Sequence, residues 1–274
     1  MADPLCLEAL SALSGCTVER GASTLTTPQD FVNIVALKEY YKQEGFKTLE
    51  YPSIGSLSLD DLDGQDLYSA PPALTEGPEE SHRTKLKINP EDFFHPQYNY
   101  DFTNIKDGDK AFLRGGEPYI RPCGWKRFAL RVMKKYDDDL WLGTGKDAWP
   151  VSYHAKNMDG SLGVILTHGG NPEDKPQFLD AAAASLVTGE TRGQGVYSTP
   201  DIKMAEKYCR SFKSKVDEKT YKVVLQNRIN PEKRRKCQRE NTWLVYVPKD
   251  CSDVEKRAIV QESIRPYGLL LKQV

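Results

Sequence analysis

The stretch LVTGETRGQGVYSTPDIKMAEKYC, residues 186–209, decides how the chain is read. Gly189, Gly193 and Gly195 fall within seven residues, Tyr197 follows, and a helix-like run ends at a second tyrosine, Tyr208. Glycines ahead of a strand mark a sharp turn or a place where something approaches the backbone closely. The pattern predicts a turn, a short strand and a short helix, with one tyrosine on each of the last two.

Outward from it, other segments read as strands. WPVSYHAK (149–156) alternates in the manner of a strand and ends just past His154. TYKVVLQNRINP (220–231) and NTWLVYVP (241–248) are rich in β-branched and aromatic residues and stop at proline. LGVILTHGG (162–170) is a short apolar run closed by glycines, and YIRPCGWKRFALRVMKKY (119–136) is strand or helix by its period. The C-terminal VEKRAIVQESIRPYGLLLKQV (254–274) reads as a strand-like segment with a proline turn. Many strands and few strong helices predict an α+β domain built on a pair of packed sheets.

The first ninety residues differ in texture. The N-terminus has the apolar spacing of a short amphipathic helix. TTPQDFVNIVALKEYYKQEGF (26–46) has a Thr–Pro start, apolar residues from Phe31 to Leu37 and a Gly45 stop, all helix signals. The segment 53–85, dominated by Ser, Asp, Gly, Pro and Glu, reads as a linker or disordered stretch. These features predict a boundary near residue 90, with a helical segment plus linker over 1–89 and the main domain over 90–274.

Bulk properties exclude several classes. The 38 Lys+Arg nearly balance the 39 Asp+Glu, for a formal net charge of −1, so no whole-chain attraction to nucleic acid or membrane exists. No apolar run approaches a membrane span, and the acidic start does not read as a secretory signal. The six cysteines form no CxxC pair and the four histidines lie apart from them, so no metal site is expected. The expected compartment is intracellular, cytoplasmic or nuclear.

Three blocks carry a resemblance. SYHAK stands where a Tyr/Trp-His-Gly-Ser/Thr box would stand; LVTGETRGQGVY and MAEKYC follow a VTG…GxG-Ile/Val-Tyr…Ala-x-x-Tyr-Cys pattern; VQESIRPYGLLLK resembles a terminal glutamate-bearing strand. In this order, over residues 149–272, the chain resembles the poly(ADP-ribose) polymerase-like, His-Tyr-Glu class of ADP-ribosyltransferases. The resemblance implies two packed, mostly antiparallel sheets with flanking helices and an NAD cleft between them. NAD would be the co-substrate, and no metal is called for.

It also implies roles. His154 would hydrogen-bond the adenosine ribose. Tyr197 and Tyr208 would sandwich nicotinamide, stacking worth about 0.5–1.5 kcal/mol beyond area burial. Gly195 would let the loop close over the dinucleotide, and the Ala155 backbone would grip the carboxamide. Glu262, expected on a buried strand, would stabilise the oxocarbenium-like state and draw the acceptor proton. Glu255 is the fallback for Glu262, and His168 the rival of His154. Ala155, Lys156 and Ala205 depart from the family's usual Gly, Ser/Thr and Ser.

The implied reaction is transfer of one ADP-ribosyl unit to a macromolecule, a protein first, with DNA or RNA as alternatives. The run Lys233, Arg234, Arg235, Lys236 and Arg239 is a solvated face or a contact to nucleic acid. Arg121, Trp125 and Arg127 pack against the sheet or line an adenosine pocket, with packing preferred. The readings weighed against the enzyme are a silent module that binds NAD or nucleic acid, and a scaffold whose N-terminal segment docks a partner.

Overall fold

The computed structural model describes residues 4–22, 26–43, 84–156, 158, 184–187, 190–193, 195–237 and 241–274. The 162–170 run with His168, Gly189, Arg239, the Gly45 stop and most of the 53–85 segment lie outside them.

In chain order the elements are α1 (Pro4–Ser14), β1 (Thr17–Arg20), α2 (Pro28–Gln43), β2 (Lys85–Ile88) and α3 (Pro90–Phe93). There follow β3 (Tyr100–Asp101), β4 (Leu113–Arg114), β5 (Glu117–Pro118), β6 (Lys126–Ala129) and β7 (Val151–His154). The next group is β8 (Ala184–Val187), β9 (Glu190–Gly193), β10 (Gly195–Ser198), α4 (Ile202–Lys207), β11 (Ser211–Lys213) and β12 (Thr220–Ile229). The chain closes with β13 (Arg234–Lys236), β14 (Trp243–Tyr246), α5 (Asp253–Ser263) and β15 (Ile264–Gln273).

The protein is α+β with mainly antiparallel sheets. The larger sheet runs β11-β12-β15-β6-β3, and β7 adds to β12 on the same edge as β11. The smaller runs β10-β14-β13. A bridge between Tyr153 and Thr199 ties β7 to the end of β10 and so joins the two. The one parallel pair among the described residues is β1 with β2.

Alternation along the strands feeds two cores. On β12, Val223 and Leu225 enter one apolar cluster and Val224 the other; on β15, Leu269 and Leu271 oppose Leu270. The same split separates Val196 from Tyr197 on β10 and Val245 from Leu244 on β14. Successive side chains of a strand point to opposite faces, so a strand covered on both sides becomes apolar throughout.

The helices form where local signals start them. Pro28 opens α2, with Thr27 Oγ1 accepting from the Asp30 N–H while the Asp30 carboxylate accepts from Thr27 N–H. Asn89 caps α3 and Asp201 caps α4. Ser252 and Glu255 form a reciprocal capping box on α5.

The expected boundary near residue 90 does not separate two cores. Leu10 and Leu13 of α1 and Phe31, Val35 and Leu37 of α2 are buried in the same cluster as Val223, Leu225 and Leu269. Each such side chain contributes about 1.5–3 kcal/mol of burial, enough to hold both helices on the sheet. Among the described residues no helix is long and apolar enough to cross a membrane.

Candidate functional site

β7 and β10 bring the expected residues together in part. The His154 imidazole is buried, with Nδ1 2.6 Å from the Tyr197 carbonyl oxygen. A carbonyl only accepts, so Nδ1 carries the proton and Nε2 presents a bare lone pair. Burial lowers the imidazole pKa to about 4, with the Tyr197 carbonyl opposing weakly, so His154 is neutral at pH 7. Nε2 is buried and has no hydrogen-bond partner among the described residues.

Three more buried polar side chains share its face. His154 lies opposite Leu225 and Ser152 opposite Asn227, and directly opposed residues of an antiparallel pair project to one side. Ser198, two residues after Val196, shares the face of that valine, which belongs to the same apolar cluster as Leu225. Ser152 Oγ, Ser198 Oγ and both amide atoms of Asn227 are buried without partners among the described residues, as is His154 Nε2. Native interiors pair most such atoms, so five in one region make a polar island in the core that an ordered water or another polar group would complete. The face is the one that α1 and α2 cover.

The tyrosines differ in access. Tyr197 is fully enclosed in the opposite cluster with Ala205 and Leu244, and burial holds its phenol well above the usual range. Tyr208, the residue capping the C-terminus of α4, is only half-buried against that cluster. Gly195 serves the fold: its φ is +151°, and an added Cβ would sit 1.9 Å from the Val245 carbonyl oxygen. What approaches this glycine is β14, so no other residue fits. Ala155 is buried and its carbonyl accepts the Met158 N–H, while Lys156 Nζ donates to Ala12 O at the end of α1.

Glu262 is elsewhere. It is the penultimate residue of helix α5 and not on a strand; its side chain is 62% exposed, with Oε2 3.6 Å from Lys233 Nζ. Asn230, the residue just after β12, holds the Glu262 carbonyl, and lies five residues along the chain from Leu225, the partner of His154. At about 3.3 Å per residue the two stations lie about 17 Å apart. The error came from the apolar run AIV before Glu262, which is helical because the Ser252–Glu255 capping box starts a helix ahead of it. Glu255 is spent on that box, accepting from Ser252 N–H and Oγ–H.

No family model matches this chain, and neither a curated protein nor a solved structure is significantly similar to it.

The basic run is not one surface. Arg234 turns inward, its guanidinium 2.6 Å from Glu117 Oε1 and 3.9 Å above the Trp243 ring. Lys236 shares the same oxygen at 2.6 Å and Lys233 faces Glu262, which leaves Arg235 as the exposed arginine of β13. Burial pushes the Glu117 carboxyl up, but hydrogen bonds and charge from Lys236 and Arg234 outweigh it and hold the group low. Of the 119–130 segment, Trp125 is core and Arg121 is tied to Asp107.

Sequence reasoning missed Ser152, Ser198 and Asn227. The signal was present in VSYH, GVYS and LQNRI, where polar residues interrupt strands otherwise fit for burial.

Proposed function

We propose that the protein is an NAD-dependent ADP-ribosyltransferase that transfers one ADP-ribosyl unit to a macromolecule, a protein side chain in the first instance. The observation that carries this reading is the buried, neutral His154, whose unpartnered Nε2 stands on a face with Ser152, Ser198 and Asn227. A lone pair in that position accepts a hydrogen bond from a ribose hydroxyl, and the two hydroxyls and the amide offer both donors and acceptors to the rest of a sugar or carboxamide. NAD would supply the ADP-ribosyl group and leave nicotinamide behind. The Tyr197 ring lies in the opposite cluster and Tyr208 packs against it, so neither ring walls the His154 face. The resemblance in the SYHAK, LVTGETRGQGVY and MAEKYC blocks supports the same reading.

Glu262 has no part in the chemistry in this account. Its separation from His154 favours a second reading, a silent module that binds NAD without turning it over. Nicotinamide release from NAD by the purified protein, followed by chromatography, separates the two. Release that falls at least about tenfold in His154→Ala supports the enzyme, since one hydrogen bond to the sugar is worth that much. Saturable NAD binding without release supports the silent module. Neither binding nor release refutes both.

A further inference from the structure

On the opposite face of β12 lies a second polar group that the ADP-ribosyl reading does not use. Arg228, opposite Val151, is buried, its side chain directed away from the His154 face. Its Nη1 donates to Trp149 O at 2.6 Å, and Nη2 to Leu142 O at 2.7 Å and Gly143 O at 3.0 Å. The guanidinium lies 5.1 Å from the centre of the Tyr267 ring, and Arg127 lies 5.6 Å from the same ring. Arg114 stands 5.0 Å from the ring of Tyr119, whose hydroxyl accepts from Gln226 Nε2 at 3.3 Å.

Three cations thus gather around Tyr119 and Tyr267, and none forms an ion pair with an acidic side chain among the described residues. Their partners are neutral: backbone carbonyls and aromatic rings. The Nε–H groups of both Arg228 and Arg127 are buried and have no acceptor among the described residues. Buried arginine ordinarily faces a carboxylate, because an unmatched charge costs several kcal/mol. Here burial lowers the affinity of Arg228 for its proton; Tyr267 and Tyr119 oppose this, and Arg114 and Arg127 add to it. The group reaches the surface: Arg127 and Arg114 are only half-buried, and Tyr100 and Leu113 beside them are exposed.

We propose that Arg114, Arg127 and Arg228 form a binding site for a phosphate oxyanion, the charge that the fold withholds from them. A phosphate accepts from the two free Nε–H groups, and the exposed ring of Tyr100 gives an aromatic surface to any base the phosphate carries. The site stands whether or not the protein acts on NAD.

The test is calorimetric titration with inorganic pyrophosphate at fixed ionic strength, on wild type, Arg114→Ala, Arg127→Gln, Arg210→Ala and His154→Ala. Arg210 is exposed on the chain between α4 and β11 and controls for loss of surface charge. Saturable binding in wild type, Arg210→Ala and His154→Ala, with affinity about tenfold or more weaker in Arg114→Ala and Arg127→Gln, is the expected result. No saturable binding in wild type, or equal affinity in all five, overturns the proposal. A parallel titration with ADP on wild type and Arg127→Gln identifies the carrier: tighter binding than pyrophosphate that Arg127→Gln weakens means a nucleotide, and equal binding a free inorganic anion. Retention in His154→Ala keeps this outcome distinct from any failure at the other face.

Discussion

Acidification from pH 7 to pH 5 destabilises the wild-type protein by about 2 kcal/mol more than it destabilises a His154→Gln variant. The native imidazole takes a proton only near pH 4, because burial penalises its charged form, whereas an unfolded chain takes it near 6.5. The native pKa is depressed, so between these values the unfolded state binds more protons and stability falls with pH. The contribution is complete above 6.5 and is lost as pH drops toward 4. At 1.36 kcal/mol per pH unit, with both titrations only partly inside the range, the pH 7 to pH 5 interval carries about 2 kcal/mol. Glutamine keeps a neutral hydrogen-bonding side chain and removes the titration. Urea unfolding at the two pH values, for both proteins, reads the difference directly. Parallel losses within about 0.5 kcal/mol would mean that His154 is solvated or already charged, and the unpartnered Nε2 would lose its meaning.

Other consequences are as direct. Gly195→Ala forces a Cβ onto the Val245 carbonyl at a φ of +151° and costs about 3 kcal/mol or more, read by thermal unfolding; a loss under about 1 kcal/mol contradicts the close approach of β14. Ser252→Ala removes one half of the capping box and costs about 1 kcal/mol with no effect on nicotinamide release; a lost activity would return Glu255 to the site. Deleting residues 1–43 strips α1 and α2 from the core they share with β12 and β15, and the remainder is expected to lose its near-UV circular dichroism and cooperative unfolding; a truncated protein that melts as sharply as the whole chain contradicts that shared core.

Local rules carried much of the fold. α2 was legible because Thr27, Pro28 and Asp30 start it, and β12 and β14 because their residues suit burial and proline ends the run. His154 at the end of β7 and Tyr197 on β10 were legible because short motifs fix them next to a turn. What was not legible depended on register or long range. The inclusion of α1 and α2 in the core rests on contacts with β12 and β15, some two hundred residues away in sequence. The three silent partners of His154 become a group only through the pairing of Ser152 with Asn227 and the tie between β7 and β10. Glu262 was misread although SDVE, a capping-box spacing, stood in the sequence; apolar flanks were weighed and the helix start was not.

Incubating the purified protein with NAD labelled in its adenylate half, together with cell lysate, is the measurement closest to the central claim. The account predicts label in the protein fraction with wild type and with Glu262→Ala to within about twofold, and a loss of about tenfold or more with His154→Ala. Transfer that survives His154→Ala, or that vanishes in Glu262→Ala while the fold is retained, contradicts it.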